Sequence, residues 1–361
     1  MLPYYFLVCA PLALFTLYSY FNSSSPNKNK RTLDVFFLIW LLLLVFRAES
    51  VGYDLPVYKD QFLRYSRLEW KYIFAGVLSD QFELGYVLIS KLVSYFTSDF
   101  RWVLIVCALI AVIPIWGLYR KERHAALLIV AFINIAPFSM YFSGLRQAMA
   151  MGFSCVALQC CREKKWLRFL LVVFVAYLFH KSALILLLMY PVYRLHLRRR
   201  LDVLYIVPVI AGVYVFNKPI FEFLLLFTQE KYVKRYGDAV HSTGAYSVLL
   251  LLIALLIFAF LVPDQDAIDS DTIGLRNILV LSALLQTFAG VHSIAMRMNY
   301  YYLLLVPLAV SHVIDNSRRN AKLAKIAMLC MAVFFGVYFF YHAYTDADIL
   351  EVFPYQSMFE G

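Results

Sequence analysis

Apolar runs of about 15 to 20 residues alternate with short polar stretches along the whole chain. A helix that must satisfy its own backbone across a hydrocarbon layer of about 30 Å requires this pattern. The runs predict spans at about 2–21, 33–47, 101–119, 125–142, 145–161, 167–180, 182–194, 201–217, 246–262, 276–293, 298–314 and 322–342. The expected fold class is all-α, a polytopic membrane protein of about 12 transmembrane helices. No internal repeat or low-complexity region divides it, so residues 1–361 read as a single integral membrane domain.

The polar stretches set an orientation. Five basic clusters, Lys28/Lys30/Arg31, Arg120/Lys121/Arg123, Arg162/Lys164/Lys165/Arg168, Arg194/Arg198/Arg199/Arg200 and Arg318/Arg319/Lys322/Lys325, fall in alternate loops. The positive-inside bias therefore assigns all five to the cytoplasm. The complementary loops, 48–100 and 218–245, are long, mixed in charge and aromatic, and with both termini they are expected outside. Phe82 to Phe96 is apolar enough for a span, but counting it would reverse every later loop. It is read as re-entrant or interfacial, paired with the amphipathic stretch Leu68 to Leu78.

Composition narrows the class. At 63% hydrophobic and 16% charged, with a mean hydropathy of +0.71, the chain cannot be a soluble fold. The net charge of +10 lies in the loop clusters rather than along one face, so it reports topology and not nucleic-acid binding. The six cysteines sit in or beside apolar runs, which implies neither a disulfide framework nor a zinc site. The first apolar run lacks a basic region before it and carries one after, which predicts a span starting outside rather than a cleaved signal.

Against that frame, three arginines stand out. Arg47, Arg146 and Arg297 fall at span ends on the outer side, where both lipid cost and the charge bias disfavour them. Three guanidinium forks on one face suit an anion, most simply phosphate or pyrophosphate. Each has neighbours with chemistry of their own. Arg47 opens RAESVGYDLPVY, in which Gly52 permits close backbone approach, Asp54 offers a carboxylate as base or sugar ligand, and Tyr58 follows. Glu83 and Tyr86 lie in FELGY, with the acid at the start of a helix that dips toward lipid. Arg146 and Gln147 lie in the short turn of GLRQ, at a helix N-terminus whose free amides also favour an anion. His180 and Ser182 mark the tight turn FHKSA, and the imidazole is the natural general base. Arg297 precedes Asn299 and Tyr300 in RMNYYY. Each motif also has a bland reading as aromatic belt, helix cap or snorkelling cation. The stretch PDQDAIDSD has DxD-like spacing but falls on the opposite face, and no metal ligand set or cofactor fingerprint is evident.

The order FR…VGYDLPVY, FELGY, SGLRQAMA, FHKSAL and RMNYYY resembles the EpsG-like branch of the Wzy-type bacterial polysaccharide polymerases, over most of the chain. Where such proteins usually read Gly-Thr-Asp-Tyr, this chain has Gly52-Tyr53-Asp54-Leu55. The resemblance implies a GT-C-like glycosyltransferase of the bacterial inner membrane that joins undecaprenyl-pyrophosphate-linked oligosaccharides at the outer face without a cofactor. It also implies a chain-length regulator and a flippase as pathway partners. In that setting Arg47, Arg146 and Arg297 would hold pyrophosphate, and His180, then Asp54 and Glu83, would be the base. Gly52, Tyr58, Tyr86, Gln147, Ser182, Asn299 and Tyr300 would bind sugar or support the site. A lipid-linked oligosaccharide flippase and an O-antigen ligase are the rival readings. Charges at one surface and the lack of repeated halves disfavour the first, and motif order disfavours the second.

Overall fold

The computed structural model describes residues 2–21, 27–74, 82–225, 244–266, 268–291, 293–317, 319–345 and 351–359. The architecture is all-α. Among the described residues three helices are long and apolar enough to cross a bilayer: α1 (Leu2–Phe21), α6 (Arg101–Tyr119), and Ala321–Tyr338 of the last helix. The pair Arg200–Val215 and Asn217–Phe223, bent by 71°, raises the number to as many as four. Several shorter apolar helices accompany them, and together they make a multi-pass membrane protein.

Most of the apolar runs appear as helices, several of them shorter than expected, shifted or broken. After α1 come α2 (Lys28–Val45), α3 (Leu55–Arg67), α4 (Trp70–Phe74), α5 (Leu84–Ser94) and α6. They are followed by α7 (Ala125–Ile135), α8 (Met140–Ser143), α9 (Leu145–Arg162) and α10 (Trp166–Phe179). A 3-10 stretch (Lys181–Leu188) then leads through α11 (Met189–Tyr193) to α12 (Val203–Val215) and α13 (Asn217–Leu225). The remaining helices are α14 (Gly244–Leu261), α15 (Ser270–Gln286), α16 (Ser293–Leu303), α17 (Val306–Asp315) and α18 (Ala321–Thr345). The expected span 125–142 is broken by Pro137, which ends α7 and leaves the short α8. The run at 298–314 is likewise split, with Pro307 in the first turn of α17. At about 1.5 Å per residue, the 11 residues of α5 reach roughly 16 Å, too little to cross. Residues 75–81 and most of the expected outer loop 218–245 lie outside the described residues.

The chain divides into two compact units, Met1–Leu186 with Met331–Gly361, and Leu187–Cys330. The first is organised around α9, which packs on α6 and α10. Small residues allow this closeness: a Cβ at Gly152 would lie 2.7 Å from the Ala111 carbonyl. Phe36, Phe37, Trp40, Tyr119 and Phe132 form an edge-on aromatic core beside it. In the second unit, Asp269 caps α15 by accepting from the Thr272 amide at 2.7 Å, and Asp264 accepts from the Arg319 amide at 2.9 Å. The acids of PDQDAIDSD thus tie loops and helix ends.

Candidate functional site

Five stretches far apart in sequence meet in the first unit. The loop after α2 turns at Gly52, whose φ of +124° suits glycine alone, and a Cβ there would lie 2.4 Å from the Phe142 carbonyl oxygen. This close approach brings the Asp54 amide to the Ser143 hydroxyl, to which it donates at 3.2 Å. Asp54 then starts α3 without capping it by its carboxylate, and Pro56 sits in the first turn. One turn on, Tyr58 is buried with its hydroxyl accepting from the Arg146 Nε at 3.3 Å.

Every member of FELGY except Leu84 has a task around that arginine. Phe82 lies under the guanidinium, 4.0 Å from ring centroid to Cζ. Glu83 accepts from Arg146 Nη1 through Oε2, and from the Lys181 amide through Oε1 at 3.2 Å. Gly85 lets α5 press on the end of α10, since a Cβ would meet the Leu178 carbonyl at 2.8 Å. Tyr86 donates its hydroxyl to the Tyr58 carbonyl at 3.1 Å. The Arg146 and Glu83 side chains keep only 20% and 12% of their exposure, so solvent screens this pair far less than a surface one. Burial raises the Tyr58 phenol against the lowering pull of Arg146, which leaves it protonated at neutral pH. Tyr65, two turns further along the same face of α3, has its phenol pushed up to about 12 by burial, against the lowering charges of Arg146 and Arg64. Its hydroxyl has no hydrogen-bond partner among the described residues.

His180 ends α10 in extended conformation, next to the amide that holds Glu83. Its Nδ1 lies 2.6 Å from the Ser182 hydroxyl and accepts from the Ser182 amide at 3.3 Å. With Nδ1 accepting from that amide, the ring proton is assigned to Nε2. The Ser182 hydroxyl is thus within hydrogen-bond distance of the basic ring nitrogen.

Two further residues lie deeper. Gln147 is buried at the start of α9. Arg47 is 2% exposed, with its guanidinium 5.5 Å from the Phe142 ring and its Nε and Nη1 without acceptors among the described residues. The segment 351–359 runs antiparallel to it, bridging Arg47 to Ser357.

Arg297, Asn299 and Tyr300 lie on α16 of the second unit. There Asn299 is fully buried, accepting from Ser282 at 2.9 Å and donating to Gln286 at 2.8 Å. The sequence alone missed Phe82, Ser143, Gly85 and the Lys181 amide as parts of the site. Phe82 and Gly85 were inside a recognised motif, but an aromatic beside a membrane acid reads first as interfacial belt. Backbone donors carry no side-chain signal at all. No group of three or more His, Cys, Asp or Glu residues that could hold a metal occurs among the described residues.

Such a fold defines a helical, multi-pass membrane protein with an aromatic-walled Arg–Glu–Tyr cluster bound to a His–Ser turn. The chain belongs to the EpsG family, whose profile matches residues 30–357, and the family is associated with exopolysaccharide biosynthesis. No curated protein and no solved structure matches it.

Proposed function

We propose that this protein is a polysaccharide polymerase, a glycosyltransferase that joins undecaprenyl-pyrophosphate-linked repeat units at the outer face of the bacterial inner membrane. Family membership supports this reading, and the single observation that carries it is the convergence of Tyr58, Glu83, Arg146 and the His180–Ser182 turn in one unit. In the proposed reaction an acceptor sugar hydroxyl attacks the anomeric carbon of the growing chain. The new C–O bond forms as the bond to lipid pyrophosphate breaks. The acceptor proton moves to Ser182 Oγ as the hydroxyl proton of Ser182 moves to His180 Nδ1. Negative charge gathers on the departing phosphate oxygens, where prepositioned guanidinium donors lower the barrier without reorganising. Arg146 has that role, assisted by Arg47, while Asp54 and Glu83 stand next in line as bases. Gly52, Tyr58, Tyr86 and Gln147 shape or support the sugar site. No nucleotide or metal is called for, because the leaving group is already activated.

The same reading covers architecture: a single GT-C-like membrane domain of about 12 spans, with outer loops at 48–100 and 218–245, both termini outside, and a flippase and chain-length regulator as partners. Deletion of the gene followed by surface-glycan electrophoresis tests it. Loss of long chains with single units retained is the expected result. Loss of every surface unit would instead indicate a flippase or ligase.

A further inference from the structure

Arg47 presents a problem of a kind that Arg146 does not. Arg146 has a carboxylate, a phenol and an aromatic face around it, whereas Arg47 has no ion pair among the described residues and two buried N–H groups with nothing to donate to. Burying a guanidinium in this way costs free energy that its other contacts do not return. The guanidinium lies 5.5 Å from the Phe142 ring, and no acid pairs with it among the described residues. An oxyanion, with several acceptor atoms, is the ligand chemistry that two open N–H groups on a fixed fork demand.

What covers Arg47 is segment 351–359. Met358 and Ala48 exchange ladder bonds with Phe46 and Gln356 at 2.9 Å each, and the Gly52 amide donates to the Glu351 carbonyl at 3.0 Å. Tyr4 donates to the Val352 carbonyl at 2.7 Å and Tyr355 to the Leu43 carbonyl at 3.0 Å, while Ser50 meets the Gln356 side chain at 2.6 Å. Three of these six bonds join backbone groups and one joins exposed side chains, while only the Tyr4 bond to Val352 is fully buried. The covered loop is also the one that carries Gly52 and Asp54 to Phe142 and Ser143. Arg47 therefore stands directly behind the wall of the site.

We infer that segment 351–359 is a strap over Arg47 that must lift before a phosphate oxygen of the lipid-linked pyrophosphate can reach its two open N–H groups. The inference rests on the polymerase reading for the identity of the ligand but not for the motion of the strap.

A reversible lock tests it. Ser50→Cys with Gln356→Cys, in full-length protein with the six native cysteines replaced and held in nanodiscs, permits bridging by a short bis-methanethiosulfonate and release by dithiothreitol. Two quantities are followed: polymer formed from lipid-linked units, and modification of Arg47 by phenylglyoxal, read by mass spectrometry. In the bridged protein polymer formation should fall at least tenfold and Arg47 should resist modification. After release both should recover, and added undecaprenyl pyrophosphate should slow the modification. Tyr355→Phe, which removes only one strap bond, should speed modification severalfold without any bridge. Polymer formed at the same measurable rate with and without the bridge, or an Arg47 modification rate that neither the bridge nor Tyr355→Phe changes, would overturn the inference. Released protein that makes no polymer, but whose Arg47 is still uncovered and protected by undecaprenyl pyrophosphate, would sink the polymerase reading and leave the strap standing.

Discussion

Glu83 holds Arg146 across 63 positions of sequence, with the pair largely buried and Phe82 beneath the guanidinium. Three separate features of that guanidinium are engaged: one terminal nitrogen, the Nε, and the planar face. Lysine can reproduce the charge but only one of these directions. Arg146→Lys is therefore expected to be nearly as damaging as Arg146→Ala, with long-chain glycan lost in both at equal expression. A lysine variant that polymerises normally would reduce Arg146 to an interfacial anchor.

The proton path is tested at the His180–Ser182 turn. His180→Ala should lower turnover by roughly 10²-fold or more while leaving binding of lipid-linked donor intact. Ser182→Ala should produce a comparable loss, because the proposed relay takes the acceptor proton through that hydroxyl to Nδ1. The base must be neutral to accept a proton, so acid should suppress in wild type the part of the rate that His180→Ala removes. Activity retained in His180→Ala but lost in Glu83→Gln or Asp54→Asn would transfer the role to a carboxylate.

Backbone geometry gives a third test. Gly52→Ala adds a Cβ 2.4 Å from the Phe142 carbonyl at a φ of +124°, and should cost roughly 1–3 kcal/mol or more in stability. Gly117 in α6 has open space where a Cβ would go, and alanine there should be tolerated or stabilising. Thermal unfolding in detergent compares the two, and equal melting temperatures would count against the close approach.

In the second unit, Asn299→Leu removes the shared partner of Ser282 and Gln286 in a buried setting. Leaving a buried polar group unsatisfied costs about 1–3 kcal/mol. A drop of several degrees in the unfolding temperature is expected, and an unchanged value would show that water fills the gap.

Orientation is open to direct measurement. Tyr53→Cys and Lys121→Cys, each in a cysteine-free background, should differ sharply toward a membrane-impermeant thiol reagent, the first labelled from outside and the second protected. Protection of Tyr53→Cys in intact cells, with labelling after permeabilisation, would invert the topology.

The helices were legible because their signal is additive: each apolar run from Leu2–Phe21 to Ala321–Thr345 accumulates over many residues. Their interruptions were harder to read, since Pro137 and Pro307 sit in runs apolar enough to hide a break. Tyr58, Glu83, Arg146 and His180 could be singled out as polar groups in an apolar chain, and the family carried their order. Contacts between them could not be read from sequence. That Glu83 would spend one oxygen on a lysine's backbone amide, or that Tyr86 would donate to the Tyr58 carbonyl, depends on how α5 lies against α3 and α10. Arg47 was visible as an odd residue, but its cover was not, because segment 351–359 pairs through main-chain atoms that every sequence possesses.

The bond from Tyr86 to the Tyr58 carbonyl divides labour within a single residue. The scaffold grips position 58 by its main chain and by the packing of its ring on Phe82 and Tyr86, so the hydroxyl that faces Arg146 is free of any duty to hold α3 and α5 together. Tyr58→Phe should consequently silence the hydroxyl in a chain that keeps its shape, whereas Tyr86→Phe should loosen the shape with the hydroxyl still present. A protein arranged in this manner can explore new side chains beside its guanidinium over evolutionary time without having to reinvent its fold.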